Sequence, residues 1–148
     1  MLSVSAYPQK YIDEIRARIA DQVSAFAELA TAVRGAGRDD AAMTALDRLE
    51  PEYFGTLVIA LDNCFVHRSR GQERKDGNAM NEVRVLVSSL QLHGGIMTPE
   101  KGIRLDPARS VLGIEYGDRI RVGAEGFQRL AAAFLDALQA TYAEPYRA

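Results

Sequence analysis

The chain has 148 residues, 47% of them hydrophobic, a length for one domain and enough apolar side chains for a core without staples. Eighteen Lys and Arg against twenty Asp and Glu give a net charge of −2, which excludes a general polybasic binder of nucleic acid or membrane surface. One cysteine, Cys64, excludes an internal disulfide and a thiolate zinc site. The longest apolar run, Leu130 to Leu135, is far short of the roughly 20 residues that span a bilayer. Residues 1–8 have neither the basic start nor the apolar stretch of a signal peptide. The expectation is a single cytoplasmic domain over residues 1–148, with no membrane or nucleic-acid partner, no cofactor and no metal.

In chain order, Ile12, Ile15, Ile19, Phe26, Leu29 and Val33 form one heptad stripe, interrupted by Gln22, on a helix from Gln9 to Arg34. Pro8 suits its entry and Gly35 to Gly37 its exit. A stripe of this length predicts a bundle helix that also meets a second copy, hence a homodimer. Asp39 and Asp40 cap a short helix to about Leu49, and Pro51 fits the first position of another, running to about Arg70. On that helix Phe54, Leu57, Val58, Leu61, Cys64 and Phe65 make one face, while Ile59 and Val66 lie opposite. A helix apolar nearly all round is a central, buried one, and its polar groups need partners.

A loop from Ser69 to Gly77 follows, and Asn78 caps a further helix to about His93, with Met80, Val83, Leu86, Val87 and Leu90 as its stripe. Period-two alternation at Ile103-Arg104-Leu105 and Arg119-Ile120-Arg121-Val122, together with Val111 to Glu115 followed by a turn at Tyr116-Gly117-Asp118, predicts two or three short strands in a small antiparallel β-hairpin patch. Phe127, Leu130, Phe134, Leu138 and Tyr142 define the last helix, from Ala124 to Tyr142. The fold class expected is mainly α: a helical bundle with a central buried helix and a hairpin patch before the C-terminal helix.

Chemistry concentrates around the end of the third helix and the start of the fourth. Asn63 and His67 are four apart and would share a helical face, and the short loop brings Asp62, Asn78, Asn81 and Glu82 near them. Two readings follow. In one, the cluster is a buried hydrogen-bond network fixing two helices and their connection, the commoner origin of such groups. In the other, His67 is an acid–base group working with Asp62 or Glu82. A small anionic ligand would be held by Asn63, Arg68, Arg70, Lys75, Asn78 and Asn81, the cations at 68, 70 and 75 supplying charge. The two histidines, His67 and His93, have no metal-ligand spacing. Cys64, on an apolar face, reads as an inert core thiol.

The runs Leu61-Asp62-Asn63-Cys64-Phe65-Val66-His67-Arg68, Lys75-Asp76-Gly77-Asn78 through Asn81-Glu82-Val83, and Ser110-Val111-Leu112-Gly113 with Gly117-Asp118 carry a resemblance. They resemble a family of small uncharacterised proteins of high-GC Gram-positive bacteria, over roughly residues 52 to 142. The chain departs from that pattern at Gly123, in place of a Thr cap, and at Ala79, in place of proline. The resemblance implies a bacterial cytosolic domain and imports no activity. The function expected is therefore a helical, self-associating interaction module whose polar cluster is structural or holds a small anion, with the small His67 enzyme as the alternative.

Overall fold

The computed structural model describes residues 3–37 and 39–145. Four α-helices occur among them: α1 (Gln9–Gly35), α2 (Asp40–Asn63), α3 (Ala79–Leu92) and α4 (Ala124–Tyr142). Single 3-10 turns lie at Arg70–Gln72 and Pro107–Arg109. The helices form a bundle around one cluster of buried apolar side chains. No helix among the described residues is long and apolar enough to cross a membrane.

The first helix follows its stripe. Pro8, with extended backbone, precedes it, and the Pro8 carbonyl accepts from the Tyr11 and Ile12 amides. Ile12, Ile15, Ile19, Phe26 and Ala30 are buried within this chain, α1 packing chiefly against α4. Arg16 Nη2 pairs with Asp136 Oδ1 at 2.8 Å across that seam. The stripe expected to meet a second copy is therefore enclosed inside the protomer, and of its large side chains only Leu29 is exposed, at 46%. Accordingly, Ile15→Ala should lower stability by about 2–4 kcal/mol through the cavity it leaves. The loss in thermal midpoint should be equal at low and high protein concentration, since a stripe engaged with a partner would make it concentration-dependent.

The two helices expected at Asp40 to Leu49 and Pro51 to Arg70 are one. Asp39 caps it as expected, its side chain accepting from the Ala42 amide at 3.0 Å. Pro51 lies inside α2 rather than at a start. An interior proline removes one helical hydrogen bond and costs roughly 3 kcal/mol, and here the helix continues through it. Its other end comes earlier than expected, at Asn63. Residues 64–68 tighten into a series of three-residue turns, with Phe65 N donating to Asp62 O and Arg68 N to Phe65 O. That unwinding turns Arg68 inward.

The enclosed helix is α3, not α2. No residue from Met80 to Leu90 is exposed, whereas Glu52, Thr56, Ala60 and Asn63 on α2 face outward. Three polar side chains of α3 are buried because each holds a loop: Asn81 the 73–77 loop, Glu82 residues 111 and 112, and Ser89 the backbone of Thr98.

The expected β-hairpin patch is absent among the described residues. Ile96 and Arg119 make a single antiparallel bridge, backed by Ile120 N donating to Gly95 O and Met97 N to Asp118 O. The alternation is nonetheless real: Leu105, Ile120 and Val122 are buried and Arg104 and Arg121 are exposed. What fails is strand pairing, because carboxylate and hydroxyl oxygens take several of the amides that a ladder would use. Glu82 accepts from Val111 and Leu112, and Ser110 Oγ accepts from Gly113.

Candidate functional site

The polar cluster exists, but it is centred on Arg68. Because α2 ends at Asn63, the chain crosses back over the bundle and carries the Arg68 guanidinium inside, its side chain fully covered. Nη1 donates to Asp62 Oδ1 at 3.2 Å and to the Phe65 carbonyl at 3.1 Å, and Nε donates to Glu73 Oε2 at 3.1 Å. The guanidinium carbon sits 5.5 Å from the centre of the Phe134 ring, a cation–π distance. Glu73 is shared: its other oxygen accepts from Asn81 Nδ2 at 3.2 Å, and Arg70 Nη1 stands 3.5 Å from Oε2, an ion pair without hydrogen-bond geometry. Burial, then the positive charge of Arg68, push the Arg70 guanidinium below its ordinary pKa. Two cations thus face two carboxylates, and the cluster is neutral without a ligand.

Around this pair the loop is locked. Asn78 caps α3, its Oδ1 accepting from the Asn81 amide at 3.1 Å while its Nδ2 donates to the Arg74 carbonyl and Asp76 Oδ1. Asn81 Oδ1 accepts from the Gly77 amide at 2.9 Å. Gly77 has φ +87°, and a Cβ there would fall 2.5 Å from the Arg104 carbonyl oxygen, so only glycine fits the turn.

A second layer of aromatic rings covers the cluster. The Val4 amide donates to His67 O and the Ser69 amide to Val4 O, while Tyr7 bridges to the end of α4, with Glu144 N donating to its carbonyl. Tyr142 Oη donates to Ser69 O at 2.6 Å, and Tyr11 Oη to Cys64 O at 2.7 Å. Burial raises the pKa of all three phenols, Tyr7, Tyr11 and Tyr142. It also raises that of the Cys64 thiol, which donates to the Ala60 carbonyl.

The residues expected to do chemistry separate into two groups. Asp62, Arg68, Asn78 and Asn81 are brought together, and Arg70 lies at their edge. His67, Asn63 and Lys75 are exposed and outside the cluster. The face that Asn63 and His67 would share does not form, because His67 lies beyond the end of α2. Among the described residues no hydrogen bond or ion pair joins the His67 side chain to Asp62 or Glu82. Glu82, 2% exposed, is engaged elsewhere: its two oxygens accept from the Val111 and Leu112 amides at 2.8 and 2.9 Å. Glu73, the second carboxylate on Arg68, is a residue that sequence reasoning missed. Its only signal is an acid amid Arg68, Arg70 and Arg74, a spacing that follows no helical rule.

The other place of interest lies across the molecule. Arg48, Pro51, Glu52, Gly55 and Ile59 of α2 face Leu90 of α3 and the segment 119–121 across a groove of about 480 Å³. Arg119 Nη1 reaches the Gly94 carbonyl at 3.4 Å. Gly55 costs its helix about 1 kcal/mol relative to alanine. A Cβ there would meet only Leu90 Cδ2, at 4.0 Å, so packing does not demand the glycine. Among the described residues no three of His, Cys, Asp and Glu gather as a metal site requires. In comparison with known proteins, the chain matches no family model, no curated protein and no solved structure.

Proposed function

We propose that this protein is a non-catalytic helical binding module for a small anion, with the 62–82 cluster as its structural frame. The observation that supports the non-catalytic part of this reading is the engagement of both carboxylates offered to His67: Asp62 is ion-paired to Arg68, and Glu82 is bonded to two backbone amides. The anion is suggested by the arginines at 48, 119 and 121, which line one groove. An acid–base pair of His67 with Asp62 or Glu82 needs one of these carboxylates within hydrogen-bond reach of the imidazole, and neither is bonded to it. No observation favours the enzyme alternative. Self-association through the stripe from Ile12 to Val33 is not part of the reading either, since most of those side chains lie inside the protomer.

The test is a thermal-shift titration with inorganic phosphate and, separately, benzoate, at fixed ionic strength, on the wild type and His67→Ala. Ligand that binds only the folded chain raises stability by about 2.7 kcal/mol at a hundred times its dissociation constant. At least one anion should raise the midpoint saturably and equally in both proteins. Absence of any saturable shift would refute the binding module. A shift present in the wild type and lost in His67→Ala would return His67 to the site.

A further inference from the structure

We propose that the groove between α2 and the segment 119–121 is the ligand site of this module, and that its ligand is a small organic anion with an apolar body. This rests on the binding-module reading above and adds where the ligand sits and what it is. Three observations converge on the groove.

The first is local strain in the sequence. Pro51 and Gly55, both poor residues for a helix interior, are four apart on the same face of α2, and both line the groove. Alanine at 55 would fit in ordinary van der Waals contact with Leu90, so the glycine does not serve packing. What it does is leave the floor of the groove low. Places where a sequence breaks local rules without a packing reason are where function is expected.

The second is charge. Arg48, Arg119 and Arg121 meet Glu52 at the groove, three cations to one anion in a chain whose net charge is −2. Among the described residues, no ion pair or hydrogen bond engages the side chain of Arg48 or Arg121. These are the reverse conditions of Arg68, whose cation is balanced by Asp62 and Glu73. Free guanidinium groups present paired donors that match carboxylate or phosphate oxygens.

The third is the floor. Ile59, Leu90 and Ile120 line it, and its volume of about 480 Å³ lies in the range that holds a small organic molecule. An inorganic ion would leave that apolar surface wet, whereas an aromatic or aliphatic body would cover it.

The probe is 8-anilinonaphthalene-1-sulfonate, an organic anion with an aromatic body, followed by its fluorescence. Saturable binding is expected in the wild type. Arg48→Ala with Arg121→Ala should weaken it at least tenfold. Gly55→Ala should weaken it about threefold while raising the thermal midpoint by a few degrees, a pairing that loss of fold cannot produce. Binding unchanged in both variants would overturn the assignment of the groove. If benzoate or phosphate still shifts the midpoint in that case, the binding-module reading stands and the groove alone falls. If the dye binds as expected but inorganic phosphate displaces it as well as benzoate does, the organic character of the ligand is refuted.

Discussion

Arg68→Met is expected to be the most destabilising substitution in the 62–82 segment, lowering unfolding free energy by about 3–5 kcal/mol. The side chain is fully covered, and its removal leaves the buried Asp62 carboxylate without its cation and Glu73 with only the looser ion pair to Arg70. An isolated buried charge is costly, and the penalty comes from the abandoned carboxylates more than from the lost bonds. For a chain of this length such a loss lowers the thermal midpoint by roughly 10 °C. Lysine should rescue only part of it. One ammonium cannot reproduce a guanidinium that donates through Nε to Glu73 and through Nη1 to Asp62 and the Phe65 carbonyl. Adding Asp62→Asn and Glu73→Gln to Arg68→Met should recover part of the loss, because no buried carboxylate then remains unpaired, although the half-buried Arg70 loses its anionic partner. Urea denaturation of the four proteins decides it. A single-variant loss below about 1 kcal/mol, the range of an exposed pair, would mean that the ion pair is open to water.

The second large effect should come from Glu82. Charge-assisted hydrogen bonds contribute about 1.5–3 kcal/mol each, and this carboxylate makes two, to the amides of Val111 and Leu112. Glu82→Ala should therefore cost about 3 kcal/mol or more and leave two amides without an acceptor. Glutamine keeps the shape but turns an NH2 toward one of those donors, so it should recover less than half. Hydrogen exchange gives the sharper readout. In the variant, the amides of residues 111 and 112 should exchange well before those of Val83 to Val87 in α3, which report global opening. Equal protection of both regions would show that the loop is held by something other than Glu82.

Both effects arise where sequence reading was least secure, and the reason is physical. The first and last helices were legible because a stripe such as Ile12, Ile15, Ile19 or Phe127, Leu130, Phe134 has one period and one buried side. The central position was assigned to the wrong helix. Ile59 and Val66 gave α2 an apolar far side, but Ile59 lines the groove and Val66 lies beyond the helix end, 44% exposed. Conversely, the stripe of Met80, Val83, Leu86, Val87 and Leu90 gives α3 one apolar face, although Asn81, Glu82 and Ser89 outside it are buried as well, each on a loop amide or carboxylate. Periodicity reports polarity, and polarity equals exposure only where no internal partner exists.

The site divides in the same way. Asp62, Asn78 and Asn81 were grouped correctly because they are close in sequence to two helix ends. The pairing of Arg68 with Glu73 runs across an irregular loop, where no repeat predicts which side chain turns inward. Running α2 on to Arg70, seven residues past its end at Asn63, puts His67 on the inner helix. Arg119 and Arg121 were read only as the exposed half of a strand, and Pro51 only as the start of a helix. The groove that they share with Gly55 depends on the packing of three distant segments.

The close packing of α1 against α4 has a consequence for the order of assembly. Arg16 and Asp136 are 120 positions apart, and Tyr7 lies beside Tyr142. α1 thus meets its main packing partner only when a helix more than a hundred residues later has been made, α2 covering less of it. Closing so large a loop is entropically expensive and slows folding. During that interval the isoleucines of α1, covered in the folded protein, are open to chaperones or to other chains.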